Sequence, residues 1–185
     1  GTMLMAMTGV VDARDIVVAQ SSDLRSANPG VRRDGNTDGV ILHIVEGLVG
    51  YANNGEVKPL LSKSFEVSAD GLSYSFKLRD DVKFHNGKKL TADDVVWNWN
   101  RYLKPETKWT CLPDFDGSGS VHVTGVKAVD ASTVTITLER PSAVFLGLMS
   151  RPECGYTGII SPESVGADGS FIKPIGTGPF KWDEW

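Results

Sequence analysis

The chain is poor in the residues that catalysis and metal binding draw on. It holds two cysteines and three histidines in 185 residues, and His43, His85 and His122 are dispersed, with no His or Cys partner at helical metal-ligand spacing. No G-x-S-x-G elbow marks a nucleophile. Asp114-x-Asp116-x-Ser118 opens like a calcium loop but lacks the closing bidentate Glu, because Gly125 stands at that place. Gly176-Thr177-Gly178 runs into Pro179, not into a phosphate-binding helix, so it is no nucleotide fingerprint. No apolar run approaches the length of a membrane-spanning helix. With 23% charged residues and a net charge of −4, there is no basic field to attract nucleic-acid phosphates. These absences argue against an enzyme, a metal or other cofactor, a nucleic-acid partner and membrane insertion.

What is present is a run of clear local structure. Phe65 and Val67 alternate with Glu66 and Ser68, and Tyr74, Phe76 and Leu78 alternate with Ser75 and Lys77, the period of two that marks half-buried strands. Asp70-Gly71 supplies residues that accept positive φ in the turn between them. Thr91 precedes Asp94 at capping-box spacing. Val95, Val96, Trp99, Tyr102 and Leu103 then form one apolar helical face, and Pro105 predicts a stop near Lys104. Trp97 and Trp99 cannot share a helix face, so Trp99 is expected in the core and Trp97 at a surface.

Elsewhere Asp15–Gln20 reads as a buried strand, Ser21–Asp38 as a polar loop, and Val40, Ile41, Ile44, Val45 and Leu48 as a helical stripe ending towards Gly50. Asn53-Asn54-Gly55 reads as a turn. Valines from Val121 to Val129, then Val134, Ile136 and Leu138, read as a second strand pair, Pro141-Ser142 as a helix start, and Ser161-Pro162-Glu163 as a short helix or turn. The fold class is mixed α/β, and the length suffices for a real core.

Several strings go beyond local pattern: Phe76-Lys77-Leu78-Arg79, Val82-Lys83-Phe84-His85-Asn86-Gly87, Leu90-Thr91-Ala92-Asp93-Asp94-Val95, Val45-Glu46-Gly47-Leu48 and Gly176-Thr177-Gly178-Pro179-Phe180. In these the chain resembles the family 5 extracellular solute-binding proteins of ABC importers, the peptide, nickel and opine binders. The resemblance implies a type II periplasmic-binding-protein-like fold and the N-terminal part of its first lobe. On that reading residues 1–13 are a scar and signal-peptide remnant or a plain extension, and 14–52 the first segment of the lobe. Residues 53–173 are its smaller subdomain, and 174–185 the return segment.

The function so implied is a receptor that captures a peptide-like solute in an interlobe cleft and delivers it to permease subunits. Nickel chelates, opines or glycans are alternative cargo, and a structural or interaction module is the rival reading. Location would be periplasmic, with cell-surface association as a variant. Arg32, Arg33 and Asp34 are candidate partners for ligand termini, or else a solvated loop. Trp109 stands where relatives put a ligand-facing aromatic, or else packs in the core. In an oxidising compartment Cys111 and Cys154 favour a disulfide over two buried thiols.

Overall fold

The computed structural model describes residues 17–185; the expected leader remnant at residues 1–13 lies outside them. In chain order come α1 (Gly35–Ile41), β1 (Val49–Tyr51), β2 (Val57–Pro59), β3 (Ser62–Val67), β4 (Ser73–Leu78), α2 (Ala92–Tyr102), α3 (Leu112–Phe115), β5 (Val123–Asp130), β6 (Thr133–Leu138) and α4 (Phe145–Met149). Strands β3-β4-β6-β5 form an antiparallel sheet in that order, and β1 and β2 form a separate hairpin. No helix among the described residues is long and apolar enough to cross a membrane.

The alternation in the sequence decides the sheet's register. Tyr74 pairs with Ile136 and Phe76 with Val134, and all four side chains are buried, so a slip of one residue would turn the whole apolar set to solvent. The turn between β3 and β4 closes on Gly71, at φ +70°, with Ser68 accepting from its N–H. Helix α2 crosses the buried side of this sheet. Its capping box is complete: the Thr91 hydroxyl accepts from the Asp94 N–H and the Asp94 carboxylate accepts from the Thr91 N–H. Val95, Trp99 and Tyr102 are fully buried, whereas Trp97 is partly exposed.

Asn98 ties the helix to the rest of the chain. Its amide donates to Ile160 O at 2.8 Å and to Asp94 O at 2.8 Å, and its Oδ1 accepts from the Ile160 N–H at 3.1 Å. Every polar atom of this buried side chain is satisfied, which is the condition for keeping it in the core.

Three expectations need correction. The stripe from Val40 to Leu48 is not one helix: α1 starts at Gly35, capped by Asp34, and ends at Ile41. Beyond it the chain extends so that Glu46 can bridge Ile159, whose N–H donates to Glu46 O at 2.9 Å, and a partner more than a hundred residues away outweighs local helical spacing. The described part of the expected strand at Asp15–Gln20 forms no strand, and Val17 and Val18 are 93% and 75% exposed. A strand needs a ladder partner, and none of the described strands pairs with this segment. The helix after Pro141-Ser142 begins only at Phe145.

The Gly176–Phe180 segment runs back along the turn that follows α1. Gly178 N–H donates to Ile44 O at 2.9 Å and Phe180 N–H to His43 O at 3.2 Å. A Cβ at Gly176 would lie 1.9 Å from Ile44 O, so glycine is required there by close approach of two backbones.

Tyr102 gives this core a pH signature. Its hydroxyl donates to Gly158 O at 2.5 Å, and burial pushes the phenol from 10.0 up to about 12. The unfolded chain ionises first, so the stability from Tyr102 is whole below pH 10 and is lost as pH climbs towards 12, by up to about 1.4 kcal/mol per pH unit. Urea unfolding of Tyr102→Phe should show about 1 kcal/mol less stability near neutral pH, from the orphaned carbonyl. It should also show a flatter alkaline decline than the unaltered chain; equal alkaline slopes would contradict this assignment.

Candidate functional site

Three segments distant in sequence converge at one place: the loop 28–34 ahead of α1, residues 108–111 after α2, and residues 151–157. Gly30 is the centre of the contact. It adopts φ +68°, and a Cβ there would meet the Trp109 ring at 2.7 Å and Cys154 O at 3.0 Å. Thr110 N–H donates to Gly30 O at 2.9 Å, and the Trp109 indole N–H donates to Cys154 O at 3.0 Å. Cys111 and Cys154 are joined by a disulfide, and both are buried. Asp114 lies beside the two sulfurs, but these are committed to each other and to no ion.

Backbone strain is concentrated around this junction. Among the described residues the non-glycine positions with positive φ are Arg32 (+49°), Lys108 (+56°), Tyr156 (+57°) and Thr157 (+46°), all within these segments or beside them. Each such residue costs on the order of 1–3 kcal/mol, and such strain gathers at ligand clamps and switch regions. Hydrogen bonds hold it in place: Tyr156 N–H donates to Arg151 O at 3.1 Å, and the Thr157 hydroxyl donates to Met149 O at 3.0 Å.

Charges at the rim are mostly spoken for. Arg33 binds Asp38 through Nε at 2.6 Å and through Nη2, and this bond raises the guanidinium above its ordinary value. Asp34 caps α1 by accepting from the Thr37 N–H at 2.8 Å and pairs with Arg25 at 2.8 Å. The Thr37 bond is the main reason that its carboxyl lies below the usual range. Arg151 pairs with Asp114 at 2.9 Å and with Glu153 at 3.6 Å. Arg32 is exposed and makes no ion pair or side-chain hydrogen bond among the described residues.

The candidate residues therefore divide. Arg32 stands at the rim with an open guanidinium, while Arg33 and Asp34 hold the loop and the helix start. Trp109 corrects the expectation of a ligand-facing ring. It is 2% exposed, stacked on Phe115 at 5.3 Å and near Tyr102 at 4.7 Å, with its N–H used internally. Packing against three other aromatics of the core outweighs a place on the surface. Tyr156 and Thr157 were missed, because a positive φ at a residue other than glycine leaves no mark in the sequence.

Comparison with known proteins places this geometry in context. Residues 56–185 match the family described as Bacterial extracellular solute-binding proteins, family 5 Middle. The glutathione-binding protein GsiB of Escherichia coli K12 is 32% identical over 186 aligned residues, which take in 100% of this chain and 35% of that protein. The chain thus spans about a third of the length of the curated relatives it matches. Among solved structures, the binding protein AgaA from A. tumefaciens R10 in complex with agropinic acid superposes with a TM-score of 0.75 at 28% identity, over 88% of this chain and 32% of AgaA. DppA from Helicobacter pylori, a periplasmic binding protein in complex with the peptide STSA, gives 0.73 at 27% identity, over 88% of this chain and 35% of DppA.

Gly30→Ala tests the junction. A methyl group at this φ and distance should push the Trp109 ring off Cys154 O. The expected result is a red-shifted, more quenchable tryptophan emission and a loss of about 2 kcal/mol or more in denaturant unfolding. Unchanged emission and stability would show that Gly30 is not the pivot.

Proposed function

The chain belongs to the family 5 bacterial extracellular solute-binding proteins, and from that premise we propose that it forms part of a receptor for a small peptide-like solute. The exposed rim around Arg32 supplies one wall of the ligand cleft. The observation that carries this reading is the coincidence of four strained backbone positions with one uncommitted arginine. Arg32 and Lys108 carry this strain at exposed positions and Tyr156 at a partly exposed one, while Thr157 is buried beneath them. A structural module would have no use for strain at the exposed positions, where relaxed loops would serve as well.

The chemistry follows from the guanidinium. A free α-carboxylate, whether of a dipeptide, of glutathione or of an opine, is planar and matches two parallel N–H groups of Arg32. The rigid junction beneath fixes the loop before the ligand arrives, so less ordering entropy is lost on binding. Closure of a second wall over the solute would create the form read by permease subunits. The disulfide suits an exported, periplasmic receptor, since such bonds persist in oxidising compartments. Peptides are the favoured cargo, given the names of GsiB and DppA, and opines come next.

The test is equilibrium binding by the protein at its full natural length, followed by tryptophan fluorescence during titration with glutathione and with a pool of di- to pentapeptides. Saturable binding is expected, weakened about tenfold or more in Arg32→Gln, with an unchanged melting temperature because the side chain is exposed. Equal affinity in Arg32→Gln would remove the arginine from the site. A flat response to every peptide would remove the peptide class.

A further inference from the structure

A second cleft lies against the outer side of α2 and touches the rim loop only at Asn28. Trp97, Asn100, Arg101 and Lys104 line a cleft of about 840 Å³ that is closed by Asn28 and by the turn through Asp168 to Phe171. Arg101 is the unusual member. Its Nη2 donates to the neutral Asn28 Oδ1 at 2.9 Å, its Nη1 is buried with no hydrogen-bond partner, and its guanidinium carbon stands 5.9 Å from the centre of the Phe171 ring.

The other arginines among the described residues show how uncommon this is. Arg25, Arg33, Arg79, Arg140 and Arg151 each face a carboxylate, and Arg32 is solvated at the surface. Arg101 is partly buried, yet no carboxylate among the described residues pairs with it. Burial lowers its proton affinity, the direction expected of a cation short of compensation. Two acids line the cleft: Asp168 is engaged with the Ser170 N–H and hydroxyl at 3.0 and 2.6 Å, and Glu106 is exposed and forms no ion pair with Arg101. A buried charge without its counter-charge is costly, and native structures ordinarily supply one.

We propose that this cleft binds a small carboxylate-bearing solute, whose carboxylate pairs with Arg101 while Trp97 and Phe171 flank its apolar part. The carboxylate takes Nη2 in place of the Asn28 amide, and a rotation of the guanidinium brings Nη1 into the same fork. Lys104, exposed at the end of the helix, adds a second positive charge at the mouth. The site does not rest on the Arg32 rim and does not require peptide binding there.

The test uses succinate as the probe, against sodium chloride at matched ionic strength. Calorimetry on the unaltered chain should show saturable succinate binding that chloride does not reproduce. Asn28→Asp gives Arg101 an internal carboxylate, so it should raise the melting temperature and weaken succinate binding about tenfold or more. NMR of the unaltered chain with isotope-labelled arginine adds a readout independent of any variant: one arginine side-chain resonance should move saturably with succinate. Heat no greater than that of chloride, undiminished binding by folded Asn28→Asp, or no shifted arginine resonance would each overturn the proposal.

Discussion

The meeting of Gly30, Trp109 and Cys154 is the contact on which the rest depends. Without a side chain at Gly30 the indole can lie against the backbone, and with the indole there its N–H can satisfy the Cys154 carbonyl. The disulfide then joins the second and third segments covalently across a separation of 43 residues. A closed loop of that length favours the fold by about 2–4 kcal/mol. Trp109 also touches Trp99, Tyr102 and Phe115, so the junction is continuous with the core packed between α2 and the sheet. Aromatic contacts of this kind add about 0.5–1.5 kcal/mol per pair beyond burial.

That continuity links the fold to the proposed function. Strained residues persist only where the surroundings over-determine them, and here a packed aromatic cluster and a covalent bond do so. The rim that carries Arg32 is held from beneath. Polar groups hold it as well: Asp34 and Arg33 hydrogen-bond within the loop and α1, so their charges serve architecture and Arg32 is left for solvent. The Arg101 cleft reaches the same loop through Asn28, so one short stretch of chain carries the solvated Arg32 and also contacts the partly buried Arg101 of α2.

Local features were legible in the sequence. The Asp70-Gly71 turn, the Thr91–Asp94 capping box and the alternation in β4 and β6 each depend on residues a few positions apart, and each is present in the fold. The family, too, was legible, from short strings of identities, two of which, Phe76–Arg79 and Leu90–Val95, overlap β4 and the capping box. What was not legible depends on distant partners. Glu46 leaves helical geometry for Ile159, and Trp109 cannot be told from a surface aromatic until Phe115 and Tyr102 are seen against it. Nothing in the string Asn100-Arg101-Tyr102 reveals that the side-chain hydrogen bond of Arg101 goes to an asparagine 73 residues away. The positive φ at Tyr156 and Thr157 is likewise imposed by the surrounding structure, since neither residue type favours it.

The claim at the centre of this account is that the disulfide-tied junction holds the rim in its strained form. Amide hydrogen exchange on the oxidised and reduced protein tests it most directly, read at Thr110 and Tyr156, whose N–H groups bond Gly30 and Arg151, and at Phe76 in the central sheet. The account predicts strong protection at all three when oxidised, and after reduction a loss at Thr110 and Tyr156 with Phe76 still protected. Equal protection of Thr110 and Tyr156 in both states would contradict it.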